Sequence, residues 1–449
     1  MEVTVQDMMQ ARDRRAETQR ALLRQYGQTL LCFTLNIPGP VKDSGLIRQG
    51  FALGQRALRQ AFLRANVRPL HQEERLAFTG CEAFYVLPLS PLEAKRLVSD
   101  IEEGSRLGRL FDMDVLRPDG AKVDRQEIGL PGRRCLLCGE SAQACARSRA
   151  HALADLRGET GRILKEAVRS ALSRRIARLS VQALLCEVNA TPKPGLVDRL
   201  NTGSHRDMDI FTFAASTAAL YPYFLRCAEI GMDTSSRPAA ETFAALRLPG
   251  RIAEGEMLDA TGGVNTHKGA IFSLGILAAA AGRAGHAGSI SADAVLAESR
   301  EMTAGLTRRD FAFLPPEGAR TSGQRLFLQY GITGVRGEAE QGFPLVALYG
   351  LPKLREGMKA GLGLNSAGCA ALLAIMAHNT DTNVVHRSSL ETQKKVAARA
   401  AALLEREPFP SEASLAAFDR ELIRENISPG GSADLLALCY FLYFLEEDL

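Results

Sequence analysis

The hydrophobic pattern changes character within the first half of the chain. Up to about residue 120, short β-like runs such as TLLCFTLNI and EAFYVLPL alternate with stretches whose apolar residues recur at helical spacing, such as SGLIRQGFALGQRALRQAFLRA. From about residue 162, strand signals nearly vanish and helical spacing continues to the C-terminus. The pattern predicts two domains: an α+β domain with a small mixed sheet over residues 1–160, and an all-α domain over residues 161–449.

Length and composition agree with two globular domains. A chain of 449 residues is too long for one ordinary core, and 46% hydrophobic with 24% charged residues is typical of soluble globular proteins. The N-terminal sequence MEVTVQDMMQARDRR has no apolar segment followed by a cleavage site, so we expect no secretory signal. The longest nearly uncharged apolar run, residues 269–282, is shorter than the ~18 residues that span a bilayer. We therefore expect a cytoplasmic protein without a membrane partner.

The net charge of +4 is unevenly distributed. Residues 1–170 contain 27 Lys and Arg residues and 21 Asp and Glu residues, a net charge of +6. The remaining residues contain 28 Lys and Arg and 30 Asp and Glu, a net charge of −2. A basic N-terminal part suits a phosphorylated ligand or an acidic protein partner. A solvated basic surface without a partner explains the charge equally well.

The run GRLFDMDVL places Asp112 and Asp114 two residues apart in an apolar segment. In a strand, both carboxylates leave the same face, where they repel one another unless a cation lies between them. Mg²⁺ prefers such a site, because it takes one or two carboxylates and completes its shell with phosphate oxygens and water. Lys42, after the turn NIPGP, is a candidate contact for the same phosphates. The alternative is an ordinary turn at the end of a strand.

Four potential metal ligands follow this strand at C-x2-C-x6-C-x5-H spacing. Cys135, Cys138, Cys145 and His151 supply a complete tetrahedral shell for a structural Zn²⁺ ion. The alternative is a reduced, partly buried cysteine cluster. The other six cysteines lie singly, where we expect small buried hydrophobes rather than disulfides.

The segment TPKPGLVDRLNTGSHRDMD interrupts the helical half of the chain. Two prolines flank Lys193 and restrict its backbone, and Gly195 then permits a turn that residues with a Cβ resist. The segment also contains four further candidate site residues: Asp198, His205, Asp207 and Asp209. Because an apolar helical run follows, Asp207 or Asp209 has an alternative role as a helix N-cap.

Two further loops combine glycine with charged side chains. In GGVNTHKG, the residues Asn265, His267 and Lys268 precede a very apolar helix, whose backbone amides would form an anion site beside the lysine. In YGITGVRGEAEQG, Arg336 and Glu338 indicate a phosphate clamp or part of a metal site. The alternatives are a glycine-rich turn and a solvated charge cluster.

The run HNTDTNVVHR concentrates polar side chains between two apolar segments. It contains His378, Asp381, Asn383, His386 and Arg387 within ten residues. Such density at a junction between helices indicates a binding site. Each histidine taken alone is as readily explained as a hydrogen-bonded core residue.

The motifs also resemble two known families. NIPGPVK, the TG-x-E of residues 79–82, GRLFDMDV and RCLLCGESAQACARSRAH resemble the apo-citrate lyase phosphoribosyl-dephospho-CoA transferases, also called holo-citrate-lyase synthases. From about residue 176 the chain resembles the triphosphoribosyl-dephospho-CoA synthases in six blocks: TPKPGLVD, GSHRDMD, GGVNTHKGAIFSLG, QYGITGVRGEAEQGFP, DTNVVHR and NISPGGSADLLA. The resemblance implies a nucleotidyltransferase-like N-terminal domain and a bifunctional transferase.

The resemblance implies two consecutive reactions. ATP and dephospho-CoA would first give triphosphoribosyl-dephospho-CoA with release of adenine. The product would then be transferred to a serine of the citrate lyase acyl-carrier (gamma) subunit with loss of pyrophosphate, and metal held by Asp112 and Asp114 would neutralise the phosphate charge. In the first reaction Lys193 would be a preorganised phosphate contact, and Asp198, Asp207 and Asp209 would bind Mg²⁺ or act as general base.

Two other functions fit parts of the sequence. The analogous pathway for malonate decarboxylase uses the same prosthetic group, although the N-terminal motifs favour citrate lyase. A zinc-containing, basic nucleic-acid-binding module with a helical regulatory domain belongs to another class. Against nucleic-acid binding stand the absence of Trp, an aromatic content of only 6% and the lack of basic stretches interleaved with stacking residues.

Overall fold

The computed structural model describes residues 1–286, 290–311 and 321–447. The chain forms two compact units, Met1–Ala171 and Leu172–Leu449. The helix α5, Leu153–Asn189, runs through this division, so the predicted boundary after residue 160 falls inside it. The two-domain layout predicted from the hydrophobic pattern is confirmed.

Unit 1, Met1–Ala171, combines helices with one four-stranded sheet. Its strands are β1 Thr29–Leu35, β2 His71–Ala77, β3 Gly80–Leu87 and β4 Phe111–Leu116. Its helices are α1 Val5–Tyr26, α2 Gly45–Arg64, α3 Pro91–Glu103, α4 Ala142–Ser148 and the first part of α5, with short 3₁₀ helices at Leu107–Leu110 and Arg125–Ile128. The strand order is β2-β3-β1-β4.

Every strand pair in this sheet is antiparallel, so the prediction of a mixed sheet is wrong. β2 and β3 form a hairpin in which Ala77 lies opposite Gly80. The longer connections through α2 and α3 return the chain so that β1 lies between β3 and β4 and opposes both. Alternation of strands and helices along the sequence could not reveal these directions, because they depend on which strands become neighbours.

The two faces of the sheet have different roles. One face carries Leu31, Phe33 and Met113 into the main core of the unit, where α2 and α3 also contribute buried residues. The opposite face carries Cys32 and Phe84 into a smaller cluster with α1. In this register Thr34 of β1 lies opposite both Glu82 and Asp112, which places polar side chains at one end of the second face.

Unit 2, Leu172–Leu449, contains only helices as regular elements among its described residues, and loops connect them. It comprises the second part of α5 followed by α6 Ile210–Ala219, α7 Tyr221–Asp233, α8 Ala239–Ala260, α9 Lys268–His286, α10 Ala292–Thr303, α11 Leu306–Phe311, α12 Ser322–Tyr330, α13 Val335–Glu340, a π-helical turn Val346–Gly350, α14 Leu351–Lys359, α15 Gly363–His378, α16 Thr382–Arg387, α17 Leu390–Arg406, α18 Glu412–Arg424 and α19 Gly430–Glu447. The prediction of a helical C-terminal half is confirmed.

The apolar helices α9, α15 and α19 form the interior of unit 2. Their sequences are buried on almost all sides, as the core residues Leu277, Leu372 and Tyr440 illustrate with 0% exposure. A helix without a polar face must be surrounded by other helices, which explains why these three helices lack a simple amphipathic pattern. Among the described helices, none combines the length and apolar character needed to cross a bilayer.

Two candidate active sites

Asp112 and Asp114 project from the same face of β4. Their neighbours Phe111, Met113 and Val115 are buried on the other face, as the two-residue period predicts. Burial raises the pKa of Asp112, and the charge of Asp114 raises it further. This part of the sequence prediction, two carboxylates side by side on a strand, is confirmed.

Asp112 lines a small cavity of about 180 Å³. We call it the acidic pocket after this carboxylate, although cationic side chains also line it. Arg12 and Arg15 of α1 and Lys42 from the NIPGPVK loop line the same pocket. The ammonium of Lys42 donates to the carbonyl oxygen of Ile37 at 2.5 Å, and burial lowers its pKa, with a smaller effect from Arg12. Arg15 is paired with Glu82 at 2.7 Å, which leaves Arg12 and Lys42 as the cations that make the pocket suitable for an anionic ligand.

The second carboxylate has a different environment. Asp114 forms an ion pair with Lys122 at 2.5 Å and does not line the acidic pocket. The nearest cation to Asp112 outside the pocket, Arg133, has its Nη2 atom 4.0 Å from Oδ1. The half-exposed Asp112 carboxylate next to a second carboxylate fits Mg²⁺, which is commonly bound through one or two carboxylates together with phosphate oxygens.

The predicted zinc ligands lie together in unit 1. The ligand atoms of Cys135, Cys138, Cys145 and His151 are all within 4.8 Å of one another. Cys138 Sγ is 3.5 Å from Cys145 Sγ and 3.3 Å from His151 Nε2. A tetrahedral shell with Zn–S bonds of ~2.3 Å needs sulfur atoms ~3.8 Å apart, so these residues fit a zinc ion.

Local backbone structure brings these four ligands together. A bridge between Arg134 and Ser141 closes a tight loop that holds the first two cysteines, and Gly139 has the positive φ of 77° that the loop requires. Ser141 then caps the short helix α4, which carries Cys145. Burial acts to raise the pKa of the Cys135 thiol, but backbone N–H groups in the loop outweigh it and lower the pKa to about 6.

Unit 2 contains a larger cavity of about 750 Å³, which we call the helical cavity. The loop after α5 and the N-terminal parts of α9, α13, α16 and α19 all contribute to its lining. The predicted site residues that line it are Lys193, His205, Asp207, Asn265, His267, Lys268, Glu338, Asn383 and Arg387, together with His378. The predicted site residues that do not line it are Gly195, Asp198, Asp209, Arg336, Asp381 and His386.

Asp198 organises the loop that follows α5. Its Oδ2 atom accepts hydrogen bonds from the hydroxyl of Thr191 at 2.7 Å and the backbone N–H of Lys193 at 2.9 Å. Its Oδ1 atom accepts from the backbone N–H groups of Leu200 and Asn201 at 2.7 and 3.1 Å. With four donors already bound, this carboxylate has little capacity left for a metal ion or a substrate proton.

Gly195 serves the same loop structurally. It has a positive φ of 74°, and a Cβ atom there would lie 2.3 Å from the carbonyl oxygen of Ile427. Its N–H donates to Asp419 Oδ1 at 2.8 Å. Any residue other than glycine would therefore push the loop away from the segment that joins α18 to α19.

Lys193 lines the helical cavity but is far more enclosed than an open loop residue. Its ammonium forms an ion pair with Glu187 of α5, and the two side chains are only 2% and 5% exposed. Burial raises the pKa of Glu187, although the charge of Lys193 acts against it. The lysine that the sequence presented as a free phosphate contact therefore has a protein partner already.

Asp209 is the N-cap of α6. Its side chain accepts the backbone N–H of Thr212 at 2.9 Å, and the reciprocal hydrogen bond completes a capping box. Of the two roles that the sequence left open, the structure supports the N-cap for Asp209. Asp207 remains at the cavity, 3.7 Å from the imidazole of His205 and largely exposed.

The start of α9 differs from the predicted anion site, and the start of α19 resembles it, because protein carboxyl groups bind backbone amides at both. Asp434 of α19 packs against Gly269 and accepts a hydrogen bond from the backbone N–H of Ala270. Asp381, the N-cap of α16, accepts the backbone N–H and the hydroxyl of Ser432 at 2.7 and 2.9 Å. At each of these helix starts a protein carboxyl group thus already accepts a backbone N–H that a phosphate could otherwise bind.

Glu338 lies in the wall of the helical cavity. Its Oε2 atom accepts the backbone N–H of Leu345 at 3.2 Å. Burial raises the pKa of this carboxyl group to about 7, and the single hydrogen bond from Leu345 only partly opposes the shift. A carboxylate that exchanges its proton near neutral pH beside a cavity has the properties of a general base.

Arg336 points away from this carboxylate. Its Nε donates to Asp310 at 2.8 Å, and its guanidinium lies over the ring of Phe311. The structure does not bring Arg336 and Glu338 together: in α13 they are two residues apart, and side chains at that spacing leave different sides of a helix. His386 also lies outside the cavity lining.

The sequence reasoning missed two acidic residues of the helical cavity. Glu187 and Asp434 both line it, although each lies within an apolar helical run. Burial raises the pKa of Asp434 well above its usual value, and the charges of Glu187 and Asp381 add to the shift. The available signal was a single charge within an otherwise apolar helix, which must be paired, neutral or functional when it is buried.

Family models match both halves of the chain. Residues 3–167 match CitX, described as apo-citrate lyase phosphoribosyl-dephospho-CoA transferase. Residues 173–449 match CitG, described as ATP:dephospho-CoA triphosphoribosyl transferase. The acidic pocket lies in the first region and the helical cavity in the second. The N-terminal match favours citrate lyase over malonate decarboxylase, and both matches replace the nucleic-acid-binding alternative.

Relatives share the whole arrangement. Protein CitXG of Haemophilus influenzae is 37% identical over 451 aligned residues, which cover 98% of this chain and 96% of the relative. Protein CitXG of Leuconostoc mesenteroides subsp. cremoris is 32% identical over 100% of this chain and 98% of the relative. The 2-(5''-triphosphoribosyl)-3'-dephosphocoenzyme-A synthase of Pectobacterium atrosepticum is 44% identical over 58% of this chain and 86% of its own length. The chain therefore belongs to the CitXG family of bifunctional transferases, which make and transfer the prosthetic group of citrate lyase.

Proposed function

We propose that the helical cavity catalyses the synthase reaction and the acidic pocket the transfer reaction. In the first, ATP and 3'-dephospho-CoA give 2'-(5''-triphosphoribosyl)-3'-dephospho-CoA and adenine. In the second, the phosphoribosyl-dephospho-CoA group passes to a serine of the citrate lyase acyl-carrier subunit and pyrophosphate leaves. The observation that carries the first assignment is the position of Glu338, a carboxyl group with a pKa of about 7 in the wall of a 750 Å³ cavity within the CitG region.

In the synthase reaction Glu338 is the general base. It takes the proton from the 2' hydroxyl of dephospho-CoA while that oxygen attacks the anomeric carbon of ATP. Asp198 and Asp209 are less suited to this role, because both carboxylates are engaged by backbone N–H groups. Before it accepts this proton, the ionised carboxylate also stabilises the positive charge that develops on the ribose ring.

The triphosphate binds on the more open side of the helical cavity. Lys268 and Arg387 are the exposed cations of its lining, and Asn265 and Asn383 are exposed beside them. Lys268 is held 2.9 Å from Glu254, and Arg387 donates to the carbonyl oxygen of Ser204 at 3.2 Å. Two partly engaged cations do not balance a triphosphate, so we propose that Mg²⁺ accompanies the nucleotide.

In the transfer reaction Asp112 and Asp114 would hold a Mg²⁺ ion that accompanies the substrate phosphates. When bound, the metal ion supplies Lewis-acid stabilisation of the attacked phosphate and of the departing pyrophosphate. Arg12 and Lys42 orient the same anionic groups from the other side of the acidic pocket. Two carboxylates on a small sheet beside a cationic helix agree with a nucleotidyltransferase-like domain.

The cysteine and histidine cluster holds a structural Zn²⁺ ion. A tetrahedral shell of three thiolates and one imidazole leaves no open position for a substrate. We therefore expect about one zinc ion per purified chain. The Cys138→Ser variant should lose the metal and unfold at lower temperature. Metal-free protein with unchanged stability would contradict a structural zinc site.

The synthase assignment is tested by incubating the full chain with ATP and dephospho-CoA. We expect free adenine and triphosphoribosyl-dephospho-CoA in equal amounts, measured by chromatography and mass spectrometry. Release of AMP or ADP without adenine would contradict the assignment.

Since both substrates are cytoplasmic metabolites, we place both reactions in the cytoplasm.

A further inference from the structure

The imidazole of His267 lies in the wall of the helical cavity with one nitrogen bonded and the other without a partner. The residue is 2% exposed, and its Nδ1 atom is 2.6 Å from the hydroxyl oxygen of Ser216. The Nε2 atom is itself buried and has no hydrogen-bond partner within the described part of the chain. An unpaired buried polar atom costs roughly 1–3 kcal/mol, a cost that a ligand in the cavity would remove.

Two hydroxyl groups determine which imidazole nitrogen carries the proton. Thr266 Oγ1 donates to Ser216 Oγ at 2.8 Å. Ser216 is 0% exposed and has no hydrogen-bond acceptor other than His267 among the residues with described positions. Its own proton must therefore be donated to Nδ1 of His267. A neutral imidazole that accepts at Nδ1 carries its proton on Nε2.

The surroundings of the ring keep it neutral. Burial lowers the pKa of His267 to about 3, and the nearby charge of Lys193 contributes. The edge of Phe213 lies against the ring, with 5.0 Å between the ring centroids, and Met257 Sδ accepts the backbone N–H of His267 at 3.2 Å. The Nε2 atom is therefore an uncharged donor, already desolvated, beside the start of α9.

We propose that His267 donates an Nε2–H hydrogen bond to a ring nitrogen of the departing adenine, and that Ser216 and Thr266 are positioning residues that fix this tautomer. The proposal rests on the synthase reaction assigned to the helical cavity. In that reaction the bond between the ribose anomeric carbon and N9 breaks and its electron pair goes to adenine. A new bond forms from the same carbon to the dephospho-CoA oxygen. The hydroxyl proton finally resides on adenine, and His267 keeps its own.

A neutral donor suits the leaving base better than it suits a phosphate. Negative charge develops on the adenine ring only as the bond to N9 breaks, so a fixed N–H donor stabilises the transition state more than bound ATP. The exposed cations Lys268 and Arg387 are available for the phosphates. An uncharged imidazole acting as a hydrogen-bond donor is an established catalytic arrangement when burial or a helix N-terminus suppresses its protonation.

The tautomer can be measured directly by ¹⁵N NMR of the full chain labelled at histidine. The signal missing from the His267→Gln variant identifies His267. We expect Nε2 protonated and Nδ1 unprotonated in the wild type, and a mixture of tautomers in Ser216→Ala. The matched control is Ser299→Ala, because Ser299 is also 0% exposed but donates to Leu296 O within its own helix at 2.7 Å. A wild-type protein with Nδ1 protonated would overturn the proposal.

The identity of the acceptor is tested with ATP, 7-deaza-ATP and 3-deaza-ATP. Each analogue lacks one ring nitrogen of adenine. With the analogue that lacks the acceptor, kcat of the wild type should fall by roughly ten- to a hundredfold more than kcat of His267→Phe does. The KM values should differ little. An equal ratio of kcat with analogue to kcat with ATP in both proteins, for both analogues, would overturn the proposal.

If His267→Phe does not fold, His267→Gln serves instead, because its amide N–H replaces Nε2 without depending on Ser216. In that background Ser216→Ala should have little further effect, whereas an undiminished effect would overturn the proposal.

These outcomes are distinct from failure of the synthase assignment. If wild-type protein released no adenine from ATP in the presence of dephospho-CoA, the function on which the inference rests would be wrong. If wild-type protein released adenine but the analogues did not distinguish it from His267→Phe, the synthase assignment would stand and only the role of His267 would be wrong.

Discussion

The acidic pocket and the helical cavity differ in how the sequence encodes them. Asp112 and Asp114 lie two residues apart on one strand, and strand geometry alone places both carboxylates on one face. The helical cavity instead gathers side chains from Leu184 to Ala437, positions that only the packing of many helices brings together. A short motif on a regular element thus predicts its own geometry, whereas a site assembled from loops and helix starts does not.

The acidic residues of unit 2 show why its site was harder to predict. Loops and helix starts contain backbone N–H groups without intrahelical partners, and nearby carboxylates bind them. Asp198, Asp209 and Asp381 are engaged in this way. Glu338, whose pKa is raised by burial, retains more freedom at the cavity than these three, because it accepts a single backbone N–H.

The largest expected effect is that of Glu338→Gln on the synthase reaction. Removing a general base should lower kcat for adenine release by roughly 10²–10⁴-fold. In the wild type, the rate should fall as the pH drops below about 7, because protonation of Glu338 removes the basic form. Steady-state adenine release from pH 5.5 to 9 measures both effects.

The acidic pocket provides the control for this variant. Given preformed triphosphoribosyl-dephospho-CoA, Glu338→Gln should modify the acyl-carrier subunit at the wild-type rate. A wild-type pH profile without an inflection near 7, or full adenine release by Glu338→Gln, would show that another group is the base.

The next largest effect is the loss of stability in Lys193→Ala. This substitution leaves Glu187 buried without its cation, which typically costs about 3–5 kcal/mol. The matched control is Lys268→Ala, whose exposed ion pair with Glu254 should contribute at most about 1 kcal/mol. Urea unfolding measures the free energy of unfolding for both variants.

A double variant separates the charge imbalance from other effects of Lys193. Lys193→Met combined with Glu187→Leu removes both charges and should recover much of the stability lost in Lys193→Ala. If Lys193→Ala unfolds like the wild type but loses adenine release, the lysine is a substrate contact rather than a buried partner of Glu187.

A third variant, Asp112→Asn, should lower the transfer rate by roughly 10²–10³-fold, because the acidic pocket loses a charge that holds the metal ion. The exposed Asp119, in the loop after β4, provides a control through Asp119→Asn, which should have little effect. Mass spectrometry of the acyl-carrier subunit measures the transfer. Unchanged transfer by Asp112→Asn at limiting Mg²⁺ would contradict the assignment.

The smallest effect is expected at Asp209. Asp209→Ala should reduce the free energy of unfolding by about 0.5–2 kcal/mol through loss of the N-cap of α6. Asp209→Asn should be closer to the wild type, because asparagine also caps helices well. Thermal unfolding compares the two variants, and a loss of adenine release in Asp209→Asn without a loss of stability would restore a catalytic role to this residue.

Periodicity and motif spacing predicted the two-domain layout, the helical C-terminal half and the paired carboxylates of β4. Sheet direction was beyond them, since β1 finds its neighbours β3 and β4 only in three dimensions. Motif density located the segments of the helical cavity but could not tell Asp381, which binds backbone amides, from Glu338, which faces the cavity. The number of backbone and hydroxyl donors that packing brings to each carboxylate decides that difference, and these donors come from distant segments that the sequence does not reveal.

The central claim is that one chain contains two separate active sites for consecutive reactions. The most direct test supplies Asp112→Asn and Glu338→Gln with ATP, dephospho-CoA and the acyl-carrier subunit, and measures adenine and modified carrier together. We predict that Asp112→Asn releases adenine and accumulates triphosphoribosyl-dephospho-CoA with little modified carrier. Glu338→Gln should release little adenine but modify the carrier once that intermediate is added. Loss of both activities in either correctly folded variant would contradict the assignment of two sites.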